Sequence, residues 1–145
     1  MAVMMLLAMV ACKPKPGPDG PAGGNLELIE KEWKLSTVNG VEADFNIYVS
    51  FNDGAFAMYQ QLYTLDFRFF EGEYSINGST LSGSYFDGGD WRCDYTAAID
   101  AEGKTLTLKC KESTPVTSVY VACEIPEEVK EEATATRSAE VVPYL

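Results

Sequence analysis

The chain has 145 residues, 11 Lys+Arg against 22 Asp+Glu, a formal net charge of −11 and no histidine. That length fits one domain with a tail, and 46% apolar with 12% aromatic residues excludes a disordered polyelectrolyte. Without imidazole no Ser-His-Asp or Cys-His unit and no His-bearing zinc site can be built, and the acidic balance opposes nucleic-acid phosphates.

Residues 1–11 carry no charge, and Leu6, Leu7, Met9 and Val10 form an apolar run that ends in the small Ala11 before Cys12. A membrane-spanning helix takes about 20 residues, so this run reads as the apolar part of a secretion signal. Met9-Val10-Ala11-Cys12 resembles a bacterial lipobox, in which the cysteine thiol is diacylated and the leader removed. The resemblance implies lipidation at Cys12. Residues 13–24 hold four prolines and four glycines, a composition that packs into no element and reads as a solvated linker. The expected division is a signal over 1–11, a lipidated cysteine and linker over 12–25, a β-domain over 26–125 and an acidic tail over 126–145.

From residue 26 onward the pattern is that of strands. Glu32–Val38 is the first. In the second, Phe45, Ile47, Val49 and Phe51 alternate with Asn46, Tyr48 and Ser50. Asn52-Asp53-Gly54 is a hairpin turn, and the next strand carries Phe56, Met58 and Leu62 inward. Phe67 and Phe69 continue the inward face, and Gly72 is expected to act as a bulge that shifts the phase to Tyr74 and Ile76. Asn77-Gly78 turns the chain into Leu81, Gly83 and Tyr85. Trp91–Ile99, Lys104–Lys111 and Thr117–Ile125 are the last strands. With short connections and no crossover helix, the predicted fold is all-β: an eight-stranded antiparallel up-and-down meander barrel, which closes its own edges. Eight strands leave an interior that side chains fill or that holds one small ligand.

The turn Asp100-Ala101-Glu102-Gly103 predicts Ile99 opposite Lys104 and Cys93 opposite Cys110, the geometry of a cross-strand disulfide. Two packed thiols or a Cys110–Cys123 pair are the alternatives. Cys123 shares the face of Val119, Val121 and Ile125 and reads as a buried free thiol. Pro126 opens a short helix over 127–134, opposed by like-charge pairs at Glu127–Glu131 and Glu128–Glu132. Residues 135–145 read as a loosely held, solvated tail, with docking of Val141–Leu145 as the alternative. Asp87, Asp90 and Asp94 read as turn residues, because the spacing of a calcium loop is missing.

Glu32-Trp33-Lys34-Leu35, the string from Glu71 to Gly83, and Lys104-Thr105-Leu106-Thr107-Leu108 together resemble the lipocalin-like domain of Bacteroides-type envelope lipoproteins. Ile125–Lys130 and Thr136-Arg137-Ser138 are similar to the tail of that family. The resemblance implies a calycin-type barrel on a lipoprotein of the bacterial envelope, in the outer membrane. Whether it faces the periplasm or the outside is left open. Lys31 stands where true lipocalins carry the glycine of Gly-x-Trp, and Ser118–Ile125 lacks the arginine that packs across that tryptophan.

The functional expectation is a non-enzymatic, lipid-anchored protein that binds a small apolar or amphipathic ligand in the barrel. Trp33, Phe45, Phe51, Phe56, Phe67, Phe69, Tyr74, Tyr85 and Tyr95 are the candidate cavity residues. No metal or cofactor is expected, the membrane is met through the N-terminal lipid, and any protein partner is unspecified. The alternative is a structural or protein-interaction lipoprotein with a filled barrel.

Overall fold

The computed structural model describes residues 26–62 and 64–145. The leader, Cys12 and the linker lie outside the described residues. Eight antiparallel strands close into a barrel, as the alternation and short turns predict. They are β1 (Glu32–Val38), β3 (Asn46–Asn52), β4 (Ala55–Gln61), β5 (Arg68–Asn77), β6 (Thr80–Tyr85), β7 (Tyr95–Ile99), β8 (Thr105–Cys110) and β9 (Thr117–Ala122). The two-residue β2 (Val41–Glu42) folds back on β1, and β10 (Thr134–Ala135) runs parallel beside β5. Pairing of Trp33 with Ala122 and of Leu35 with Tyr120 closes β1 onto β9.

One end of the barrel is shut by the 3₁₀ turn Leu26–Ile29. Leu26 and Ile29 are buried there, and the Trp33 indole N–H donates to the Ile29 carbonyl at 3.0 Å. Lys31 Nζ stands 5.7 Å from the Trp33 ring centroid and donates to the Gly103 carbonyl. A cation thus covers the tryptophan from two positions before it in the chain.

Several sequence expectations are corrected by the packing. The inward face of β4 is Phe56, Met58 and Gln60, with Leu62 beyond the strand end. Opposite it, Phe70 and Gly72 point inward, so Phe67 and Phe69 do not line the interior. Phe67 packs on the outside with Tyr48, Ile125 and Val129, and Phe69 lies against Tyr59 at 5.0 Å. Gly72 is no bulge: the ladders on both sides run through it in register, Tyr74 keeps the inward phase, and Ile76 is 39% exposed. The register break lies instead in β1, between Leu35 and Thr37.

The β7–β8 register is also different. Ile99 faces Leu106 and Tyr95 faces Cys110. The cause is Asp100, whose carboxylate accepts from the backbone N–H groups of Lys104 and Thr105. It holds a wider loop than the expected tight turn. The shift is by two positions, so every side chain keeps its face. Cys93 precedes β7 rather than sitting in it, and it still reaches Cys110 in a disulfide with Cα atoms 6.0 Å apart. Cys123 is a free, half-buried thiol on the outside of the barrel, not a buried one. The inward residues of β9 are Ser118 and Tyr120, which leaves Val119 and Val121 on the outer face with it.

Candidate functional site

The tail is ordered along its whole length and ends inside the barrel. Helix α1 (Glu127–Glu132) forms despite its like-charge pairs, because Val129 is buried over Tyr48, Tyr59 and Phe67. Glu32 secures it twice, accepting from Ile125 N–H at 2.7 Å and from Lys130 Nζ at 3.0 Å. β10 then pairs with Arg68 and Phe69, and Ser138 binds the Asp87 carboxylate through both its N–H and its hydroxyl. Those bonds hold the Asp87 carboxyl below its ordinary pKa. The aspartate that invites a calcium reading in the sequence is therefore a latch for the tail.

Beyond the latch, Val141–Leu145 occupies the end of the barrel opposite the 3₁₀ turn. Gln60, 1% exposed, donates from Nε2 to the Val142 carbonyl at 2.9 Å and accepts from the Tyr144 N–H at 2.7 Å. The Tyr85 hydroxyl donates to the Leu145 backbone oxygen at 2.9 Å, and the Tyr144 and Ser118 hydroxyls are 2.8 Å apart. The ring of Tyr144 rests on Phe45, 5.9 Å between centroids. Phe45 is half-buried through that contact, while Phe51 beneath it is fully buried and meets Tyr74 edge-on.

Below the segment, the interior is a set of edge-to-face aromatic contacts. Phe56 meets Tyr85 at 5.5 Å and Trp91 at 5.2 Å, and Trp91 meets Tyr95 at 5.9 Å. Gly83 makes room for this, since a Cβ there would stand 2.4 Å from the Trp91 indole. Burial raises the pKa of Tyr85, Tyr95 and Tyr120, so their hydroxyls stay neutral. No charged side chain is buried among the described residues.

Seven of the nine predicted cavity residues thus meet inside the barrel or at its mouth: Trp33, Phe45, Phe51, Phe56, Tyr74, Tyr85 and Tyr95. Phe67 and Phe69 do not. Sequence reasoning missed Gln60, Ser118 and Tyr120, whose polar groups share the interior with those of Tyr85, Tyr95 and Trp91. A glutamine at an inward position of β4 is the one signal that could have found the first.

Clefts open on the outside. One of about 490 Å³ lies by Glu73, Ser82, Ser84, Asp90, Trp91 and Asp94, one of about 390 Å³ by Lys31, Glu32 and Cys123, and one of about 230 Å³ is bordered by Val142, Pro143 and Leu145 with Asp90 and Arg92. Cys93, Cys110 and Glu112 cluster closely, but both sulfurs belong to the disulfide.

The Tyr120 hydroxyl is wholly buried and has no hydrogen-bond partner among the described residues. An unsatisfied buried hydroxyl costs roughly 1–3 kcal/mol. Tyr120→Phe should therefore leave folding stability unchanged or raise it by about 1 kcal/mol, read from urea denaturation midpoints. A loss of that size would show that the hydroxyl is paired. No protein-family model and no curated protein matches this chain.

Proposed function

We propose that this chain is a non-enzymatic envelope lipoprotein, anchored in the outer membrane through a diacylated Cys12, that takes a small apolar or amphipathic ligand into the upper barrel. The observation that carries this reading is where the polar groups of the barrel mouth are spent. Gln60, Tyr85 and Ser118 come from three different strands, and each makes its bond to residues 141–145. Apolar walls with a few convergent polar groups are the general form of a small-ligand site. In this barrel those groups converge on a segment that is not part of the wall.

A second reading, a structural or protein-interaction lipoprotein with a filled barrel, is favoured by the depth of that same segment, with Leu145 1% exposed. The two separate in one experiment. Full-length protein is extracted from membranes of its own cells and weighed intact under native and denaturing conditions. The expected result is an acylated Cys12 and a small apolar molecule released on denaturation. Acylated protein that releases nothing favours the filled barrel, and an unmodified Cys12 overturns the anchor.

A further inference from the structure

Resting on the binding reading above, we infer that the ligand class is an extended, uncharged peptide segment, and that residues 141–145 are its tethered stand-in. Gln60 carries the inference. Its side-chain amide presents one donor and one acceptor to the Val142 carbonyl and the Tyr144 N–H, the two groups that a neighbouring β-strand would engage. A side chain buried to 1% exposure is therefore spent on reading main chain, which is common to all peptides.

The occupant's own sequence agrees with this. Pro143, between the two bonded residues, has no N–H to leave unsatisfied in an apolar interior. Tyr144 supplies an aromatic face to Phe45 and a hydroxyl to Ser118, and the Leu145 carbonyl accepts a hydrogen bond from the Tyr85 hydroxyl. The recognised pattern is apolar–Pro–aromatic–apolar. No charged side chain is buried in the barrel among the described residues, so a charge on the inserted segment would lie there unpaired; Asp90 and Arg92 stand outside, at the cleft beside it.

The hold on the stand-in is releasable. Its latch, Asp87 with Ser138, is exposed at the surface, so solvent competes for those bonds. A tethered occupant acts at an effective concentration in the millimolar range. Free peptide should therefore bind the unaltered chain weakly and a latch-broken chain well.

The probe is an N-terminally fluorescein-labelled, C-terminally amidated peptide of residues 141–145 (Val-Val-Pro-Tyr-Leu), titrated by anisotropy into the full-length chain and into Asp87→Ala. A scrambled peptide and a fluorescent fatty acid are run alongside. Affinity for the matched peptide is expected to rise at least ~10-fold in Asp87→Ala, as the tethered competitor loosens, and to be lost when Gln60→Leu is added. The scrambled peptide should not bind. If the fatty acid binds and the peptide does not, the peptide inference is overturned while the binding reading stands. If neither binds, both fall. Because Gln60→Leu also removes two bonds that hold the barrel mouth, hydrogen exchange in the unaltered chain gives an independent measure. The Tyr144 amide should exchange at least ~100-fold faster than that of Leu106, through local release. Equal rates would mean that the segment leaves only on global unfolding, and would overturn the inference.

Discussion

Gly72→Ala is expected to cost about 3 kcal/mol of folding stability, at the upper end for overpacking by one methyl group. Three strands meet at this residue: it pairs with Phe56 of β4 on one side and with Tyr85 of β6 on the other. β5 is the long strand that passes from one partner to the next, and its backbone comes closest to both at this corner. A Cβ at Gly72 would stand 1.9 Å from the Ser84 carbonyl oxygen, 2.8 Å from Tyr85 Cα and 2.9 Å from the Phe56 ring. The first two are main-chain atoms of the barrel wall, which cannot swing aside. Gly78→Ala is the control: its φ is +66° and its Cβ would meet nothing within 4 Å. It should cost only the ~1 kcal/mol of a left-handed backbone. Urea denaturation of both variants decides the matter, and equal losses would refute the close approach at Gly72.

The double variant Cys93→Ala, Cys110→Ala is expected to lose about 3 kcal/mol, the chain-entropy value for a loop of this size. The bridge spans 17 residues and ties the long β6–β7 connection to the end of β8. That connection carries Trp91 into the core and Asp87 to the latch. Loss of the bridge should therefore also loosen the tail, seen as faster proteolysis after Arg137. Reductant should shift the denaturation midpoint of the unaltered chain by the same amount and leave the double variant unmoved. A Cys110–Cys123 linkage in a peptide map would sink the assignment.

The strand alternation was enough to predict an eight-stranded meander, because period-two patterns between Gly-rich turns admit few topologies. It was not enough to phase β5. Phe67, Phe69 and Phe70 are chemically equivalent claimants for an inward position, and the choice falls to the partner strand, where Met58 opposes Phe70. Outward aromatics are ordinarily implausible in a barrel, yet Phe67 is covered by α1, so its burial has a source that no local pattern reveals. The disulfide was readable because a two-residue register shift preserves faces. Its exact geometry depended on Asp100, a capping contact that alternation does not encode.

The tail shows the division most sharply. Five glutamates, a proline and small residues between 126 and 140 look like solvated chain, and local physics offers no reason for them to dock. The reason is non-local: Gln60 meets residue 144 across 84 positions, Tyr85 meets Leu145 across 60, and Asp87 meets Ser138 across 51. By itself the sequence determined that the chain is a strand meander of eight, that Cys93 and Cys110 share a face, and that no imidazole chemistry is available. Those properties depend on local period, composition and parity. The tertiary structure alone decided which aromatics enter the core, that Asp87 becomes a latch for the acidic tail, and that the barrel mouth is filled from within the chain. Each of those depends on which distant groups the closed barrel brings within hydrogen-bonding reach.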